Sequence, residues 1–93
     1  AELDRLVQMY YQVKPKVMVT HEAPERVAMQ MMHRTEKFEY PSDTRRAFDI
    51  MLEGHVPDLW VFGHWHQSWQ ANVLGCQFVC LDELETKEFD VGL

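Results

Sequence analysis

Ninety-three residues with 46% apolar content are enough for one small domain with a single modest core. The net charge of −6 and pI near 5.2 exclude a broad basic surface for gripping nucleic-acid backbones, so nucleic acid enters only as a substrate held through metal ions. With no run of about 18 apolar residues and no signal-peptide pattern, the expectation is a soluble, cytoplasmic protein without membrane contact. The chain does not begin with Met and a helix-like pattern is already under way at Ala1-Glu2-Leu3, which predicts a piece of something longer.

Leu3, Leu6, Val7, Tyr10 and Tyr11 recur at i, i+3, i+4, i+7 and i+8, which sets them on one face of a helix over 2–12 that Pro15 closes. Residues 16–20 carry Val17-Met18-Val19, a continuous apolar run of the kind found in strands covered on both faces, and deliver His21 at their end. Glu22-Ala23-Pro24 reads as a loop, with Pro24 placed to start a helix. In that helix, reaching about His33, Val27, Ala28, Met31 and Met32 pair at i, i+4, and its methionines read as core. Residues 34–41, polar and aromatic without a period, read as a loop.

Ser42 or Asp43 caps the next helix, whose buried face is Ala47, Phe48, Met51 and Leu52; Gly54 suits its C-terminal cap and Pro57 stops it. Arg45 and Arg46 read as solvated groups of this helix, with a phosphate clamp as the alternative, and His33 and His55 read as surface residues. A buried strand over 59–62 follows at once and ends at Gly63. Trp69, Ala71 and Val73 then alternate with polar residues, Gly75 marks a tight connection and 76–81 is apolar again, the pattern of a hairpin. A last short strand is expected at 88–91. Cys76 and Cys80 on one strand would be roughly 13 Å apart at about 3.3 Å per residue, beyond disulfide reach. Both are expected as unpaired, buried filler in a reducing compartment.

Strand, helix, helix, strand over 16–62 is the order of an α/β layered fold, in which ligands gather at the carboxyl ends of strands. Two apolar strands that each end in histidine would bring His21, His64 and His66 to one edge, with Gly63 letting the backbone turn toward whatever the rings hold. Histidine is the commonest protein ligand for transition metals, and three neutral imidazoles suit zinc, manganese, iron or nickel. The alternative for a bare His-x-His is a pair of surface histidines. No carboxylate obviously completes the set; Glu22 reads as a supporting or solvent-facing neighbour of His21.

Thr20-His21-Glu22-Ala23-Pro24 and Gly63-His64-Trp65-His66, the latter led in by Pro57-Asp58-Leu59-Trp60-Val61-Phe62, resemble the last two metal-binding motifs of the calcineurin-like metallophosphoesterases, an H-x-x-P and a G-H-x-H stretch. The resemblance covers about residues 15–80. It implies that residues 1–93 are one partial domain, the C-terminal half of a layered α/β/β/α sandwich. It implies further that His21 and His64 bind one metal of a two-metal centre and His66 the other. The family hydrolyses phosphoric esters with metal-held hydroxide attacking in line, so no protein nucleophile is needed. The second histidine of the last motif is similar to the phosphodiesterase, nucleotidase and nuclease branches. Trp65 and Trp69 flank the site in sequence and could stack on a base, Trp65 being the candidate substrate-binding residue, although tryptophan beside a strand end is more often packing. The family's first three motifs, which supply the remaining ligands, the bridging carboxylate and the histidine that assists the leaving group, are absent. No catalytic residue is therefore assigned, and the chain by itself is expected to be inactive and to need a missing N-terminal half or a partner chain. Apolar strands left open by the missing half are expected to drive self-association. Two other classes compete: a non-enzymatic metal-binding module with a structural zinc on the three histidines, and a protein-interaction domain presenting Trp60, Trp65 and Trp69.

Overall fold

Helix α1 (Glu2–Val13), strand β1 (Val17–Thr20), helices α2 (Glu25–Met31) and α3 (Asp43–Gly54), and strands β2 (Leu59–Phe62), β3 (Trp69–Val73) and β4 (Cys76–Cys80) follow in chain order in a computed structural model. The structure describes residues 2–33 and 42–82. The loop expected at 34–41 and the strand expected at 88–91 lie outside them. The strands form one sheet in the order β1-β2-β4-β3. β1, β2 and β4 are parallel, and β3 pairs antiparallel with β4. The chain is thus a small mixed α/β domain with a four-stranded mixed sheet and three helices among the described residues, and no described helix is long and apolar enough to cross a membrane.

The core follows from the side-chain periods. On β2, Trp60 and Phe62 point into the larger cluster with Tyr10, Val27, Met31, Phe48, Met51, Leu52 and Phe78, while Leu59 and Val61 point the other way with Val79. Every residue of β2 is buried, as its unbroken apolar run predicts. Phe62 and Phe78, almost wholly removed from water, each contribute roughly 1.5–3 kcal/mol by the usual transfer scale. In α3 the expected face of Ala47, Phe48, Met51 and Leu52 is buried, and the Ser42 hydroxyl accepts the Arg45 backbone N–H at 3.2 Å as an N-cap. The hairpin also forms as read. Its two-residue connection places Leu74 at φ 57° and Gly75 at φ 84°, the doubly left-handed turn that matches strand twist. Cys76 and Cys80 are free and buried.

Several expectations need correction. β1 is an edge strand in the described sheet and is not covered on both faces: Val17 is 38% exposed and Val19 76%. The run Val17-Met18-Val19 specifies a strand but not which of its faces finds a neighbour. On α1, Tyr10 is buried with Val7 and Tyr11 packed beside it, whereas Leu6 is 47% exposed. α2 ends at Met31, and Met32 is largely exposed while Met31 is core. Pro24 is the residue before the helix, at its N-cap. Gly54 is the last helical residue rather than a left-handed cap. A Cβ there would lie 2.9 Å from Cδ1 of Tyr11 and nearer still to Cε1, so close approach of that ring is what requires glycine. Trp60 is 0% exposed and cannot be presented at an interface. His55 is half-buried, its Nε2 2.7 Å from the Pro15 carbonyl oxygen and its own carbonyl accepting the Tyr10 hydroxyl.

Candidate functional site

The parallel register pairs Thr20 with Phe62, so the segments after β1 and β2 leave the sheet at the same edge. The ladder runs one step further, with the Gly63 N–H donating to the His21 carbonyl at 3.2 Å. This bond ties together two motif loops that lie far apart along the chain. Below it, the buried indole of Trp60 donates to the Thr20 hydroxyl at 2.8 Å, and that hydroxyl donates to the Glu22 carbonyl at 2.5 Å. The turn carrying His21 is therefore anchored to the core and has little freedom to swing.

At this edge Nδ1 of His64 lies 3.2 Å from Nε2 of His21, with the rings nearly perpendicular at a centroid distance of 5.0 Å. Two imidazole nitrogens bound at about 2.0–2.1 Å to one tetrahedral ion stand about 3.3 Å apart, so the pair has the separation that sharing an ion requires. Both rings line an open cleft of about 470 Å³ with Val19, Val61, Leu81 and Asp82. His66 lines the same cleft. Among the described residues no group of three or more His, Cys, Asp or Glu side chains is gathered closely enough to hold an ion together. The sequence-predicted trio thus resolves into a facing pair, His21 and His64, and a third ring in the shared cleft. Trp65 is not among the residues lining that cleft.

The backbone after β2 is unusual. His64 has φ 75° and His66 φ 53°, and the Trp65 N–H donates back to the Gly63 carbonyl at 3.0 Å across His64. A bond from residue i+2 to i around a centre near φ +75° is the rare, strained form of γ-turn. Histidine tolerates the left-handed region better than most side chains, yet such a residue costs of order 1–3 kcal/mol; Lys14, His33 and Leu74 adopt the same region away from this edge. Gly63 does not carry this burden: its φ is not in the left-handed region and an added Cβ would meet nothing within 4 Å. The expectation that glycine makes the turn is therefore corrected, because the two histidines make it themselves.

Glu22 is the residue that the sequence undervalued. Its carboxylate is 12% exposed and sits where three elements meet. Oε1 accepts the Trp65 indole N–H at 2.9 Å and the Ala23 backbone N–H at 2.9 Å. Oε2 accepts from Nη1 of Arg45 at 3.3 Å and lies 3.6 Å from Nε2 of His64. Arg45 is buried, not solvated, and its Nε donates to Glu25 at 2.7 Å. Arg46 keeps the expected exposed position, paired with Asp43. Trp65, held through its indole N–H, stands edge-on to His64 with Cζ of Arg45 5.9 Å from its ring centroid. Asp82, just past β4, is a second carboxylate missed by the sequence reading; only the parallel pairing of β4 with β2 brings it to this edge. The groups with displaced pKa values lie elsewhere, in the main core. Burial and then Asp58 push the Cys76 thiol up to about 12, and burial with the neighbouring Cys76 and Tyr11 pushes the Tyr10 phenol up.

Comparison of the chain with protein-family models, with curated proteins and with solved structures returned no significant match.

Proposed function

We propose that the chain is the C-terminal part of a binuclear metal-dependent phosphoesterase, with phosphodiester or nucleotide substrates favoured, and that the edge carrying His21 and His64 is its share of the active site. The observation that carries the reading is the 3.2 Å approach of two imidazole nitrogens at the carboxyl ends of adjacent parallel strands. The stretches after β1 and β2 are the ones that resemble the H-x-x-P and G-H-x-H motifs of the calcineurin-like metallophosphoesterases. The mixed sheet with helices packed on one face is consistent with half of an α/β/β/α sandwich. On this reading a missing N-terminal half or partner chain would join along the open edge and exposed face of β1.

His21 and His64 would hold one divalent ion and His66 a second, with Mn, Zn, Fe or Ni suited to imidazole. Ions there would supply positive charge for phosphoryl oxygens and lower the pKa of water to about 7. The chain's own residues do the rest of what it can do. The His21–Gly63 backbone bond and the Trp60–Thr20 bond hold together the two turns that carry the rings, and Val19, Val61 and Leu81 give the cleft apolar walls beside them. Trp65 packs against the core beside His64 with its indole N–H donated to Glu22, outside the cleft lining, so on this reading it supports His64 and does not stack on a substrate base.

Titration of the 93-residue chain with Zn²⁺ alone, followed by calorimetry, tests the reading. Weak binding by the two facing imidazoles is expected, and is expected to disappear in both His21→Ala and His64→Ala, whereas one tightly held zinc in the folded chain favours a structural zinc module over the partial hydrolase. Zinc that fails to bind, or that binds regardless of both substitutions, refutes the site. A bis(p-nitrophenyl) phosphate assay on the same chain is expected to give negligible turnover, and turnover lost on His64→Ala would refute the proposed dependence on another segment.

A further inference from the structure

We infer that Glu22 is a positioning residue for His64, selecting which of its ring nitrogens is offered to the cleft. The carboxylate has little freedom among its neighbours: the Trp65 indole, the adjacent backbone N–H of Ala23, the Arg45 guanidinium and the far side of the His64 ring. At 3.6 Å the contact to Nε2 is slightly longer than a hydrogen bond, so its effect is electrostatic. A negative oxygen facing that nitrogen stabilises an N–H there and repels a lone pair. The proton of neutral His64 is thus held on Nε2, and Nδ1, the nitrogen that faces His21, is left bare. In the ion-free chain Nε2–H of His21 then donates to this bare nitrogen across the 3.2 Å gap.

The backbone works in the same direction. With φ 75° at His64 and the Trp65 N–H bonded to the Gly63 carbonyl, His64 and Trp65 leave the strand as one rigid turn. Anchoring Trp65 to Glu22 therefore also fixes the orientation of His64. Arg45, buried between Glu22 and Glu25, holds the carboxylate in place from α3. A histidine that offers one nitrogen outward while the other faces a carboxylate is the arrangement that tunes metal-bound imidazoles generally. This inference draws on the proposed function only for the use made of the bare nitrogen; the selection of the tautomer stands on the chain's own geometry.

Long-range ¹H–¹⁵N spectra of the metal-free chain, taken above about pH 8 where histidine is ordinarily neutral, read the tautomer directly. His64 is expected as the Nε2–H form. In Glu22→Gln the amide oxygen can still accept from Trp65 and Ala23, but the NH₂ then faces His64 as a donor, so the proton is expected to move to Nδ1. Zinc affinity is expected to fall about tenfold to a hundredfold in the same variant, the usual effect of losing a carboxylate behind a ligating imidazole. An Nδ1–H tautomer in the unsubstituted chain overturns the inference, and so does a tautomer that Glu22→Gln leaves unchanged. The first of these needs no folded variant. Should zinc bind neither protein while the tautomer still follows residue 22, the positioning role is supported and the metal reading fails.

Discussion

Removing Arg45 takes away a cation that two tucked carboxylates share. Its side chain is 10% exposed, Glu25 is 7% exposed with Oε2 at 2.7 Å from Nε, and Glu22 is 12% exposed with Oε2 at 3.3 Å from Nη1. Arg45→Met keeps most of the apolar stem and the helix propensity of α3, so backbone and packing change little. Two carboxylates are then left close together with water largely excluded. Breaking such a pair by deleting one partner costs about 3–5 kcal/mol, far above the exposed Arg46–Asp43 pair, for which no more than a few tenths is expected. Glu25→Gln alone, losing a charge-assisted hydrogen bond, should cost about 1.5–3 kcal/mol. The double variant should lose less than the sum by about 1–3 kcal/mol, because a neutral amide in place of the Glu25 carboxylate no longer needs the guanidinium. Urea unfolding followed by tryptophan fluorescence suits this cycle, since Trp60 is fully buried and Trp65 sits within the network. An Arg45→Met loss below about 1 kcal/mol, or strict additivity with Glu25→Gln, would refute the view that these charges act as one buried unit.

Two further outcomes follow from the core. Gly54→Ala gains less than the roughly 0.8–1 kcal/mol of an interior helix position, because Gly54 is the last residue of α3, and drives a Cβ into the Tyr11 ring, 2.9 Å from Cδ1 and nearer to Cε1, an overpacking that costs about 1–3 kcal/mol; a lowered Tm by calorimetry is expected, and an unchanged or raised one counts against the close approach. The Cys76 thiol is pushed from the ordinary value of 9.0 up to about 12, so the unfolded thiol ionises first. Its contribution to stability is complete below about pH 9 and is lost as pH rises toward 12, at roughly 1.4 kcal/mol per pH unit across that window. The raised Tyr10 phenol adds to this loss in the same direction. Urea midpoints measured across the alkaline range should fall less steeply in Cys76→Ala, and an identical slope would show that the thiol is not protected by burial.

Much of this architecture was readable from spacing. The α3 face, the fully buried run of β2, the Ser42 cap and the tight connection at Gly75 are local features, set by side chains within a few positions of one another, and each forms as its sequence pattern predicts, although Leu74 takes a left-handed φ that the pattern does not favour. The convergence of His21 and His64 was legible one level up, as two apolar strands ending alike. What could not be read was the environment. Val17 and Val19 look the same whether or not a neighbour covers them, and Arg45 on a helix looks solvated until Glu22 and Glu25 are placed against it.

Sequence by itself determined where the strands end and which imidazoles stand there, because hydrophobic period and chain-breaking residues act over short distances. The tertiary structure alone decided that Glu22 is held at this edge. Its partners Arg45 and Trp65 lie 23 and 43 residues away, on segments whose meeting depends on parallel register and helix packing. A carboxylate's influence falls with distance in space and is strengthened by exclusion of water, and neither quantity is encoded in the order of residues along the chain.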